Sequence, residues 1–394
     1  MALSTYNKDL LEFMYNLTFT PKIRPPLDIS KFLELKGQKV SERTIKRWFM
    51  YLGNNIAYHA RINYASLNLQ TVYVLLKEAH PKLLTTIPYS VVPFYGYDAT
   101  NLIKYTGTHF PIPIGKEKEL EEFLTNAKEL NLLQDFELFP YNQVADSYLP
   151  FHEVIDLDGN FKFNQTYDIS HFESLFDYAI RKPSEQKLSK IVEKNPITLP
   201  IIVEYSRKRW SSHKVWFAMS ENLEDNLWNY IKRKKSKIRE RQGAGVALVQ
   251  KSVRDIQLAH DELFRQVRVF YGPFNDDKNV VANIFIKLKN PEQIKELFKE
   301  IAQKAIITSF YLPTDLTSKL RIALTTNIES QTKISNEILP KYIDKDYDNK
   351  VIFRRKQNKE INMKLNYSEL FNPKTCEWEF DLEKYKENLT HLSP

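Results

Sequence analysis

The chain repeats itself. VPFYGYDATN at 92–101 matches VFYGPFNDDK at 269–278, which sets Gly96 opposite Gly272. A repeat of this kind constrains the architecture, because each copy must be one supersecondary unit that buries its apolar face against a neighbour. Strand-like runs follow both glycines, IPI at 112–114 and ANIFIKL at 282–288. Amphipathic helices come next, KELEEFLTNAKEL at 118–130 and EQIKELFKEIAQK at 292–304. Each copy closes on a strand ending in proline, FELFP at 136–140 and SFYLP at 309–313, and each is preceded by a strand and helix, TVYVLLKEAHPKLL at 71–84 and VALVQKSVRDIQLA at 246–259. Read in this way the order is βαββαβ twice, a ferredoxin-like sandwich of four antiparallel strands under two helices.

A chain of 394 residues, 42% hydrophobic and 13% aromatic, suits several globular domains rather than a disordered polymer. No apolar run has the length of a membrane span, and MALSTYNKDLLEF carries charges where a signal peptide needs its apolar stretch. The single cysteine, Cys376, allows no internal disulfide, and the eight histidines form no HExxH. None of the nine glycines builds GxGxxG or GxxxxGK[ST], which argues against nucleotide-phosphate cradles. No cofactor and no metal are expected. The formal charge of +8 favours a polyanionic partner.

Ahead of each repeat lies a second pattern. Asp28, Phe32, Glu34, Ser41, Ile45 and Phe49 fall on Thr198, Ile202, Glu204, Ser211, Val215 and Met219: a helix, a turn, a serine cap and a second helix. The repeated KRW, at 46–48 and 208–210, does not share this register and is a coincidence. Ser41 is placed to cap the helix after it, and Glu42 suits its positive end. Ile45, Trp48, Phe49 and Leu52 share one face; Arg43, Lys46, Arg47 and Met50 share the other. DLLEFMYNL at 9–17 supplies a preceding helix, GNN after Leu52 a wing-like turn, and IAYHARINY a strand. That is a winged helix-turn-helix.

The stretch VSERTIKRWFMYLGNNIAYHARINYASLNL, followed by a βαββαβ unit with Gly96-Tyr97-Asp98, resembles the Lrp/AsnC family of transcription regulators. The resemblance implies an α+β chain with a winged helix-turn-helix at 1–66 and a ferredoxin-like domain at 67–150. A divergent second helix-turn-helix at 165–243, a second ferredoxin-like domain at 244–325 and a C-terminal extension at 326–394 would follow. It implies a DNA-binding transcription regulator, not an enzyme, with the helix at 42–52 in the major groove and a cytoplasmic, nucleoid-associated location. Duplex DNA is the expected partner; a small-molecule effector and a homodimer stay open.

The residues expected to touch DNA are Lys39, Ser41, Arg43, Lys46 and Arg47 on the first unit, with Arg207, Lys208 and Arg209 in the second turn. Lys232, Arg233, Lys234 and Lys235 of KRKKSKIRER join them as phosphate contacts, against the blander reading of a solvated helix. On the second unit His213, Trp216, Phe217 and Ser220 occupy the outer face, which suits protein packing better than phosphate. The alternatives are an enzyme on nucleic acid from a mobile element, such as a replication initiator or recombinase, and a chromosome-organising or protein-interaction scaffold. The acidic turns DLDG at 156–159 and NDDK at 275–278 give the first only weak support.

Overall fold

The computed structural model describes residues 30–31, 34–35, 37, 39–52, 56–62, 64–86, 89, 91–98, 101–147, 151–154, 161–163, 198–207, 246–247, 249–252, 264–271, 279–313, 319–354, 365, 367–372, 375 and 377–392. The chain is α+β, and its centre is a closed antiparallel barrel of eight strands. Four come from the first half: β2 (Leu69–Lys77), β3 (Val91–Asp98), β4 (Lys104–Pro113) and β5 (Asp135–Ser147). The second half supplies β7 (Asn279–Lys287), β8 (Ile306–Pro313), β9 (Lys319–Asn327) and β10 (Lys350–Arg354). Around the barrel the order is β10-β3-β4-β2-β5-β8-β9-β7. Each half therefore contributes a sheet whose first strand lies between its third and fourth, and the two sheets close on each other through β5–β8 and β10–β3.

Closure explains the unbroken apolar run of β2. Val72, Val74 and Leu76 belong to the outer cluster under the helices, while Tyr73 and Leu75 belong to a separate inner cluster. A strand alternates its side chains between two faces, and here both faces are buried. Helices cover the outside. α2 (Glu117–Glu129) buries Leu120, Phe123, Leu124 and Ala127 at helical spacing, and α4 (Ile294–Ala302) buries Leu297, Phe298, Ile301 and Ala302. Asn327 caps α5 (Ile328–Lys333) by accepting from the Ser330 amide at 2.8 Å, and that helix runs through a π turn into α6 (Leu339–Tyr342).

Several expected elements lie elsewhere in the order. Described residues among 246–252 are helical, so the strand read at VALVQ is corrected. The helix matched at 292–304 is the crossover between β7 and β8, whereas that at 118–130 joins β4 to β5. These are the first and second crossovers of their halves and do not correspond. FELFP and SFYLP likewise sit in a fourth strand and a second strand. The cause is physical: both crossovers of a βαββαβ unit are amphipathic helices leading into a buried strand, so hydrophobic periodicity cannot separate them.

The C-terminal region is no appendage. Lys350–Arg354 closes the barrel, and α7 (Leu382–Thr390) packs beside α2, with Tyr385 and Leu389 buried and Lys386 bonded to Glu122 at 2.6 Å. In the first half, the helix expected after β2 is only a 3-10 turn, Leu83–Thr85, preceded by Pro81. The outer face it leaves beside α2 is covered by α7. Trp378 ties this region down by donating to the Leu67 carbonyl at 2.7 Å, and Tyr89 donates to that of Glu379.

Outside the barrel, α1 (Glu42–Leu52) leads to β1 (Ile56–Ile62), which pairs antiparallel with β6 (Phe264–Tyr271) in a sheet of its own. α3 (Thr198–Arg207) packs on β1.

Candidate active site in the barrel lumen

Register places the inward side chains. Tyr73 on β2 pairs with His109 on β4, and Leu75 with Gly107. On the other sheet Asn283 on β7 pairs with Ala323 on β9, and Phe285 with Arg321. These residues meet in the lumen.

Arg321 is 5% exposed, and its guanidinium carbon lies 3.7 Å from the centre of the Tyr73 ring and 4.3 Å from that of Tyr311. Nη2 donates to Asn283 Oδ1 at 2.6 Å. Nε and Nη1 are buried with no partner in hydrogen-bonding geometry, and so is the Tyr73 hydroxyl, although the Tyr73 and Tyr311 phenols stand close enough to the guanidinium to bear on its charge. No carboxylate of the described residues pairs with this guanidinium. Burial acts against its charge, but the surrounding phenols of Tyr311, Tyr73 and Tyr141 outweigh it and the net direction is upward. Arginine keeps its charge in any case. Burial also pushes the Tyr73 phenol up to about 12.

Beside this pair stands His109. Its Nδ1 lies 2.6 Å from the Tyr141 hydroxyl, and the Tyr311 hydroxyl is 3.5 Å from Nε2, at the outer limit of a hydrogen bond. Tyr73 packs edge-on against the imidazole with ring centres 4.9 Å apart. An imidazole between two phenols can take or deliver a proton on either nitrogen.

Towards one end of the barrel, beside the exposed Asp348, a second polar group spans it. Lys350 on β10 is bonded to Glu137 on β5, and Tyr347 donates to the other oxygen of that carboxylate. Lys350 also pairs with Asp348 at 2.8 Å. Burial lowers the lysine's proton affinity, but the bonds to Asp348 and Glu137 prevail and hold it charged. Unlike Arg321, this cation has carboxylate partners.

The residues expected to touch DNA lie apart from the lumen. Ser41 does cap α1, since its hydroxyl accepts from the Thr44 amide at 3.2 Å. Lys39, Arg43, Lys46 and Arg47 are exposed, with Lys46 bridged to Glu42 at 2.5 Å. Arg207 ends α3; Lys208, Arg209, Lys232, Arg233, Lys234 and Lys235 fall outside the described residues, as do His213, Trp216, Phe217 and Ser220. The acidic turns DLDG and NDDK fall there too. No group of metal-binding side chains occurs among the described residues, and no described helix is long and apolar enough to cross a membrane.

His109, Arg321 and Tyr73 are absent from the sequence reading. Their only signal was a polar residue on the inner face of a strand buried on both sides, and that requires knowing that the barrel closes.

No family model matches the chain, and no curated protein matches it. Two solved structures do, the siroheme decarboxylase NirDL and the same enzyme in co-complex with an iron-uroporphyrin III analogue. Each is 11% identical with a TM-score of 0.45, over 98% of this chain and 98% of that chain. Both are structures of an enzyme. Against these matches the expectations of a DNA-binding regulator and of a non-enzymatic chain are corrected.

Proposed function

We propose that the chain is an enzyme that binds a carboxylate-bearing small molecule in the barrel lumen and moves a proton to or from it. The observation that carries this reading is the buried Arg321 guanidinium with no carboxylate beside it and two nitrogens without partners. An uncompensated buried charge is costly, and a bound anion removes that cost. Arg321 would hold the carboxylate, the Tyr73 hydroxyl would give it a further hydrogen bond, and His109 would carry the proton between substrate and the phenols of Tyr141 and Tyr311.

Decarboxylation is the first reaction to assay, since the two matched structures carry that name. In it the bond from carbon to carboxylate breaks, carbon dioxide leaves, and a proton from His109 takes the vacated place on carbon. The test is carbon dioxide release by the full chain, from iron-uroporphyrin III and then from smaller aryl and alkyl carboxylates. Turnover that is lost in both His109→Gln and Arg321→Met supports the reading. Turnover that survives both changes overturns it.

The fold is part of the same proposal. Each group of four strands has the order of a ferredoxin-like unit, so we read such units at 69–147 and 279–354 rather than at 67–150 and 244–325. The α1–β1 segment ahead of the first keeps the Lrp/AsnC-like arrangement without its regulatory role.

A further inference from the structure

The two halves of the lumen can be compared position by position. β2 and β7 have equal length, so Leu75 corresponds to Phe285 and Tyr73 to Asn283. Their partners on the next strands then correspond as well: Gly107 to Arg321, His109 to Ala323, and Glu137 to Lys350. At two of these positions, Gly107 against Arg321 and His109 against Ala323, one half carries a group that can do chemistry and the other a residue that cannot.

Gly107 is the sharpest of these differences. A Cβ built there would stand 1.7 Å from the Tyr73 hydroxyl oxygen and 2.5 Å from the ring carbon that bears it. The phenol therefore fills the place that an Arg321-like side chain would need, and it reaches across to lie over the Arg321 guanidinium. Asn283, the counterpart of Tyr73, takes Nη2 of that guanidinium and leaves the other two nitrogens to a ligand.

We infer that the lumen takes one carboxylate group per chain, off the axis relating the halves, and that Gly107 determines this by admitting the Tyr73 phenol as second donor to the anion. The inference rests on the lumen being the anion site proposed above and adds its number, its side and the residue that shapes it. Because Tyr73 already touches both Arg321 and His109, the same ring aligns the bound carboxylate with the proton carrier.

The probe is benzoate, set against benzamide, which has the same shape without the charge. Both are titrated by calorimetry into the full chain and into Gly107→Ala, Tyr73→Phe and Arg321→Met. The expected result is one benzoate per chain, with benzamide far weaker and binding lost in Arg321→Met. Gly107→Ala and Tyr73→Phe should each weaken benzoate about tenfold or more, as loss of a hydrogen bond to a charged group does. Tyr73→Phe deletes a hydroxyl with no partner in hydrogen-bonding geometry and keeps the ring, so it serves as the second variant where Gly107→Ala does not fold. Unchanged affinity in Tyr73→Phe, or two benzoates per chain, would overturn this inference while leaving the anion site standing. Equal binding to Arg321→Met, or none to the unaltered chain, would remove the proposed function and this inference with it.

Discussion

The guanidinium of Arg321 lies 3.7 Å from the ring centre of Tyr73, on strands that belong to opposite halves of one closed barrel. A cation on a ring face is stabilised by the ring quadrupole, by about 2 kcal/mol when desolvated, which offsets only part of the cost of burying it. The remainder is available to a ligand.

Arg321→Met should therefore raise stability, by about 1 kcal/mol or more, while abolishing anion binding, since an apolar side chain of similar length removes the uncompensated charge. Urea denaturation midpoints of the two proteins check it. A lower midpoint for the variant would show that the guanidinium is a structural strut.

Tyr73 gives a prediction in alkali. Its folded pKa of about 12 lies above the ordinary 10.0, so the folded chain keeps this proton longer than the unfolded one. The associated stability is complete below pH 10 and disappears as pH rises towards 12. Tyr73→Phe should lose less stability than the unaltered chain between those values in thermal melts, and should be at least as stable at neutral pH.

Lys350 and Glu137 occupy corresponding positions and bond to each other across the lumen. Glu137→Gln leaves Lys350 with Asp348 as its carboxylate and should cost about 1 kcal/mol, whereas Lys350→Met leaves Glu137 with the Tyr347 hydroxyl alone and should cost about 3 kcal/mol. The double variant should recover part of that loss. Additive losses in the double-mutant cycle would deny the coupling.

His109→Gln separates binding from chemistry. Benzoate affinity should stay within about threefold of the unaltered chain, because the anion is held by Arg321 and Tyr73, while turnover falls by about a hundredfold or more. Parallel loss of both would make His109 a binding residue.

Periodicity read the composition of the fold better than its phase. The apolar spacing of Leu120, Phe123, Leu124 and Ala127 marks α2 in the sequence, and the Ser41 cap is likewise visible before Glu42. The repeat sets the second half out of phase because α2 and α4 share one pattern yet are different crossovers. Residues 326–394 read as an extension since nothing in KVIFR says that it closes a barrel against β3 and β7. The candidate site stayed hidden for the same reason: His109, Tyr73 and Arg321 are far apart in sequence and become neighbours only through closure. The basic side chains of α1 stand out in the sequence instead, although exposed charge is the usual state of a helix surface.

The most direct test of the lumen as an anion site is a crystal of the full chain grown with para-bromobenzoate, read by the anomalous signal of bromine. The account expects one bromine per chain inside the barrel, with the carboxylate in hydrogen-bonding reach of Arg321 and Tyr73. Bromine found only outside the barrel, at a concentration that saturates binding in solution, would contradict it.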